Sequence, residues 1–167
     1  GAAVLEADEA EEQAGILSTV LGTDGAGGMV LRCDNRRNHN PYVKGDTALS
    51  YVSMNGQEVY KFAVRTVPKV IAGAVEAAGL SMDEIDFFLL HQANLRIIEA
   101  VAKRLHQPME KFPTNLQKYG NISSASVPIL LDNVNNHGMI GEGSKIVLAG
   151  FGAGLTWGAA VLRWQTV

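Results

Sequence analysis

Apolar positions fall into runs of two different periods, and the changes of period mark the elements. Residues 1–7 alternate small and apolar and predict a strand. Glu6, Asp8, Glu9, Glu11 and Glu12 then form an acidic loop. Ile16 to Leu21 is a β-rich run, closed by Thr23-Asp24-Gly25-Ala26-Gly27-Gly28, a strong turn signal. Met29 to Arg32 predicts a short strand, and residues 35–45 a polar loop or flap. From Met54 to Gly79 the period becomes helical, with Val59, Phe62, Ala63, Thr66, Val67, Val70, Ile71, Ala74 and Ala78 on one stripe. Asn55 is suited to the N-cap and Gly79 to the residue past the C-cap, whereas Pro68 should bend this helix or split it. Ser81 followed three residues later by Glu84 forms a capping box.

The second part of the chain repeats the alternation. Asp86 to Leu90 predicts a strand, and residues 94–105 a helix with Leu95, Ile98, Val101, Ala102 and Leu105 turned inward. A short connector at 109–112 and a short helix or turn at 114–119 lead to a helix ending before Gly138. Residues 146–151 predict a buried strand and residues 156–165 a last one, joined by a Gly-rich turn. From Gly15 the order is β-α-β-α-(β)-α-β-β. It predicts an α/β fold, a mostly parallel sheet with helices on both faces, and an antiparallel final pair.

One repeat bears on organisation. Gly1-Ala2-Ala3-Val4-Leu5 recurs letter for letter as Gly158-Ala159-Ala160-Val161-Leu162. Two copies on strands at opposite ends suggest a duplicated fold. Residues 1–8 are then the last strand of a preceding half, and residues 9–167 a half-domain of their own.

Composition narrows the function classes. A net charge of −3 argues against nucleic acid as the main partner. No run of about 18 apolar residues predicts a membrane span. The start carries no signal-peptide pattern. The single Cys33, lying among Arg32, Asp34, Arg36 and Arg37, lacks a paired base and reads as a bystander thiol. No metal-ligand set is expected.

Chemistry is concentrated at two turns. His91 follows an apolar strand at its C-terminal end, where ligands bind in open α/β sheets, whereas His39, His106 and His137 read as exposed or structural. Asn121 stands in a small-residue segment before a helix start, where it is either an N-cap or a donor. Two neutral donors on separate turns can serve one developing oxyanion, and the turn Gly152-Ala153-Gly154 offers backbone N–H groups for the same purpose. Lys61, Arg65 and Lys69 step by four along one helix face, and Arg96, Lys103 and Arg104 add positive charge on the next. Such a face is either simply solvated or suited to an acidic partner.

Four ordered motifs, Met54-Asn55-Gly56-Gln57-Glu58-Val59-Tyr60-Lys61, His91-Gln92-Ala93-Asn94-Leu95-Arg96-Ile97-Ile98, Gly120-Asn121-x-Ser-x-Ala-Ser and Gly150-Phe151-Gly152-Ala153-Gly154-Leu155-Thr156-Trp157-Gly158, resemble the β-ketoacyl-acyl carrier protein synthase III family. The resemblance implies the C-terminal β-α-β-α-β-α-β-β half of a thiolase-like fold, plus the last strand of the N-terminal half, in an enzyme that works as a homodimer. It implies condensation of an acyl-CoA starter, often acetyl-CoA, with malonyl-acyl carrier protein at the start of type II fatty acid synthesis. His91 and Asn121 match the family's histidine and asparagine, while the nucleophilic cysteine lies in the other half and Cys33 does not match it. His91 is then neutral, with its far nitrogen accepting a hydrogen bond. Ala153 matches the backbone oxyanion donor, Phe151 the acyl-pocket wall, and Gly56, Gln57, Tyr60, Asn94 and Ile97 the pantetheine channel. Lys61, Arg96, Lys103 and Arg104 match the basic surface that receives the acidic carrier protein. Ile122-Ser123-Ser124 departs from the family's more usual Thr-Ser-Ala. Coenzyme A thioester and phosphopantetheine enter as substrates, with no resident cofactor. The setting is bacterial cytoplasm or plastid stroma. The alternatives are a non-catalytic carrier-protein-docking subunit and a sister condensing enzyme of polyketide or quinolone synthesis.

Overall fold

A computed structural model describes residues 1–5, 14–34, 42 and 51–166. The acidic loop of residues 6–12, the flap at 35–45 (Tyr42 apart) and His39 lie outside the described residues.

Among the described residues, six strands and four α-helices follow in the order β1 (Gly15–Thr23), β2 (Leu31–Arg32), β3 (Ser53–Met54), α1 (Gly56–Ala77), β4 (Phe87–Leu90), α2 (Leu95–Leu105), α3 (Leu116–Tyr119), α4 (Ser126–Asn136), β5 (Lys145–Gly152) and β6 (Thr156–Arg163). The main sheet has the order β1-β6-β5-β4. β4 and β5 pair in parallel, while β6 is antiparallel to both β5 and β1. Three strands therefore run one way, but only one pairing is parallel. The expected mostly parallel ladder is corrected by β6, which inserts between β1 and β5. The hairpin explains this: β5 and β6 are joined by Ala153-Gly154-Leu155 and pair from Gly152↔Thr156 outward. No strand forms at residues 109–112, where Met109–Lys111 is a 3₁₀ turn.

Strand alternation divides the core in two. Phe88, Leu90, Val147, Ala149, Ala159 and Val161 face α1 and α2. Leu89 and Ile146 face the other way, onto Leu130 and Val134 of α4. Helices thus cover both faces, as the sequence predicts.

α1 forms because its ends are capped and one face is apolar. Asn55 Oδ1 accepts from the Glu58 N–H at 3.3 Å. At the other end Gly79 takes φ +69°, with Gly79 N–H donating to Glu76 O and Leu80 N–H to Val75 O. That is a Schellman closure, which needs a residue at ease in the left-handed region. Pro68 does not split the helix, which runs unbroken for 22 residues. A mid-helix proline removes one donor and crowds the preceding turn, at about 3 kcal/mol. Here Pro68 is itself buried, and Val64, Val67, Val70 and Ile71 beside it hold the helix onto the sheet.

One further expectation is corrected. In α2 the buried stripe is Ile97, Ile98, Val101, Ala102 and Leu105, while Leu95 is 46% exposed. Leu95 lies within about 20° of Ala102 around the helix, at the edge of the stripe, and it stays half-open because it is the first residue of α2. At the N-terminus, Gly1–Leu5 forms no strand and is exposed, with Val4 at 96%. A strand needs a ladder partner, and none of the described residues pairs with this segment. Its copy at 158–162 is paired on both sides within β6.

Candidate active site

His91 leaves the end of β4 with its backbone still in the sheet, its N–H donating to Ala149 O at 2.8 Å. Its Nδ1 lies 2.5 Å from Ser126 Oγ, at the first turn of α4. The Phe151 ring meets it edge-on, 5.4 Å between centroids. Burial pushes the imidazole below its ordinary value of 6.5, so the neutral form dominates at neutral pH.

The turn that carries His91 is held from below by Gln92, which is fully buried. Gln92 Nε2 donates to Leu90 O at 2.9 Å, and its Oε1 accepts from Asn115 N–H at 3.1 Å. Both ends of this side chain are satisfied, as a buried amide requires. The segment before α3 is thereby tied to the end of β4.

Asn121 follows Gly120, whose φ of +65° turns the chain between α3 and the 3₁₀ turn Ser123–Ala125. The Ser123 N–H donates to its side-chain oxygen at 3.1 Å. A backbone N–H only donates, so the amide oxygen must face it, and the NH₂ group is the end left over. Asn121 thus closes an Asx turn, with Ile122 holding the N-cap position, and retains two donors.

His91 and Asn121 line one cavity of about 1560 Å³. Gly56, Gln57, Tyr60, Asn94, Arg96, Ile97, Phe151 and Ala153 line it too, so ten of the residues singled out in the sequence meet there. Lys61, Lys103 and Arg104 are exposed and outside it, on α1 and α2. The Arg96 guanidinium stands 5.9 Å from the Tyr60 ring centroid, joining the two helices at the rim. The Gly-rich hairpin turn presents Ala153 to the cavity, with Ala153 O accepting from Thr156 Oγ1 at 2.9 Å.

Sequence reading missed several lining residues. Phe62 and Trp157 form an aromatic wall with centroids 5.6 Å apart. Cys33, read as a bystander, lies on the cavity wall with Arg32. Ser126 was one of three serines in a small-residue segment, and nothing local set it apart. His106 and His137 stand where expected, as C-caps of α2 and α4.

The cavity wall is mostly apolar, and His91 and Asn121 are among its polar groups. The family model described as 3-oxoacyl-[acyl-carrier-protein (ACP)] synthase III C terminal matches residues 75–164, which include His91, Asn121, Phe151 and Ala153. The chain belongs to that family.

Synthase III relatives match beyond that segment. The β-ketoacyl-[acyl-carrier-protein] synthase III of Clostridium acetobutylicum is 46% identical over 92% of this chain and 47% of its own length. The chloroplastic synthase III of Arabidopsis thaliana is 43% identical over 99% of this chain and 44% of its own. The crystal structure of the Thermus thermophilus synthase III superposes with a TM-score of 0.82 at 44% identity, covering 92% of this chain and 47% of that one. The fold is therefore the thiolase-like one, and the chain spans about half the length of the synthase III relatives it matches.

Proposed function

We propose that this chain is the C-terminal half of a ketoacyl synthase III that begins fatty acid synthesis, and that it supplies the decarboxylating side of the site. The observation that carries this reading is the pair His91 and Asn121 on one cavity wall, each with its other hydrogen-bonding end engaged. The malonyl thioester loses carbon dioxide, and the electrons of the broken C–C bond pass into an enolate. His91 and Asn121 donate to the enolate oxygen. Its carbon then attacks an acyl thioester held on a cysteine of the N-terminal half. The tetrahedral oxygen is held by the Ala153 N–H together with the cysteine's own, and the thiolate leaves. The acyl group comes from a CoA thioester, with acetyl-CoA the expected starter.

Phe151 borders the acyl group, and Gly56, Gln57, Tyr60, Asn94 and Ile97 border the pantetheine arm. Lys61, Arg96, Lys103 and Arg104 receive the acidic carrier protein. All four are exposed on helices that pack side by side. The complete enzyme works as a homodimer in bacterial cytoplasm or plastid stroma. No described helix is long and apolar enough to cross a membrane.

Co-expression with an N-terminal half carrying the nucleophilic cysteine tests the reading. The 167-residue chain alone should not condense acetyl-CoA with malonyl-carrier protein, whereas the two halves together should. In that complex, Lys103→Glu with Arg104→Glu should raise KM for the carrier protein about tenfold, roughly 1.4 kcal/mol, with a weaker effect at high salt. Robust condensation by the chain alone refutes the half-site reading. Carrier-protein binding with no recoverable condensation favours a docking subunit, and a different acyl product favours a sister condensing enzyme.

A further inference from the structure

We propose that Ser126 is the positioning residue of His91, its hydroxyl donating to Nδ1 and fixing the ring in the tautomer that carries hydrogen on Nε2. This rests on the reading of His91 as a neutral donor, and it names what makes it one.

The assignment follows from counting hydrogens. Ser126 is 1% exposed, so its hydroxyl cannot turn to solvent. The Gln92 N–H approaches Oγ at 3.4 Å and occupies the acceptor side. Serines near a helix start commonly cap it or bond back to a carbonyl of the preceding turn. Ser126 does neither: the N-cap of α4 is Ala125, without a side-chain cap. Among the described residues, the one acceptor in reach of the hydroxyl hydrogen is His91 Nδ1, at 2.5 Å. The opposite assignment, Nδ1–H donating to Oγ, puts two donors on one oxygen and strands the buried hydroxyl hydrogen. It also leaves Nε2 a lone pair, which cannot stabilise an enolate. The bond further links β4 to α4, the two elements on either side of the core cluster around Leu89 and Leu130. His91 is thus oriented by the helix that follows Asn121.

The test reads the tautomer directly. The 167-residue chain labelled with ¹⁵N-histidine is measured at neutral pH, with the His91 signals assigned by their loss in His91→Gln. The expected spectrum has a protonated Nε2 and a pyridine-like, unprotonated Nδ1. Ser126→Ala should move the Nδ1 resonance toward the value of a mixed tautomer, and Ser126→Thr, which keeps a hydroxyl, should restore it. In the complex with the N-terminal half, Ser126→Ala should lower kcat for malonyl decarboxylation about 10- to 100-fold, the range seen for residues that orient ligand histidines, with KM little changed. Protonated Nδ1 in the unmodified chain overturns the proposal. So does a Ser126→Ala variant with unchanged tautomer and kcat. If Ser126→Ala does not fold, the unmodified chain and Ser126→Thr still decide. An inactive complex with the expected tautomer defeats the condensing-enzyme reading and leaves Ser126 in place. An active complex with the other tautomer does the reverse.

Discussion

His91→Ala in the completed enzyme is expected to slow malonyl decarboxylation about 10²–10³-fold, and Asn121→Ala by a similar factor. Each change removes one donor from a developing oxyanion in a cavity wall. The double variant should fall short of the product of the two, because residues acting on one oxygen lose their effect together. Asn121 is exposed, so its alanine variant should fold normally and show the loss as kcat alone. His91 also reports on pH. Burial sets its folded pKa below 6.5, and the unfolded chain returns to that value. Between the two, the unfolded state binds more protons, so stability rises with pH. The neutral ring's contribution is complete above about 6.5 and is lost as pH falls through the folded value. Titration followed by NMR should place the His91 midpoint below 6.5 in the folded chain. A wild-type decarboxylation rate in either alanine variant would refute the donor role.

The residues legible in the sequence are those whose signals are local. Asn55 and Gly79 announce the ends of α1 because caps are set by one or two residues and their backbone angles. His91 could be placed because a strand of four apolar residues ends just before it. Asn121 reads from sequence as either an N-cap or a donor, and the N-cap position belongs to Ile122 instead. Its oxygen closes an Asx turn, which leaves the NH₂ end as the donor.

What the sequence did not disclose depends on pairing across long stretches of chain. β6 lies between β1 and β5, and the pairing of Thr23 with Thr156 is invisible to a periodicity of two. Leu95 falls at the edge of the apolar stripe of α2, and its place at the helix start, which periodicity does not weigh, leaves it half-open. The partner of His91 is 35 residues away, in a segment of small residues that all look alike. Gly1–Leu5 has the composition of a strand without a partner among the described residues, so propensity alone did not make it one.

Phe88→Ala should be the most damaging core substitution, at about 3–5 kcal/mol. Phe88 is fully buried at the centre of β4 and stacks on Phe112, with centroids 4.7 Å apart and planes 11° from parallel. The void would open between β4 and the connector after α2, a place with little freedom to collapse. On one side α1 and α2 are fixed by Ile71, Ile98 and Val101. On the other, β4 is held by its parallel ladder to β5. Against a typical total of about 5–15 kcal/mol, this loss is about a fifth or more of the stability. Leu89→Ala, on the opposite face of the same strand, should cost about 2–5 kcal/mol. It faces a smaller cluster around Leu130, which can close more of its cavity. Urea unfolding of the two variants should therefore give a lower midpoint for Phe88→Ala with similar slopes. His91 lies just past the end of β4, three residues beyond Phe88, so the folded fraction of Phe88→Ala should also bind substrate normally yet turn over more slowly. An unfolding free energy within about 1 kcal/mol of the unmodified chain would mean that β4 is not the anchor of the site.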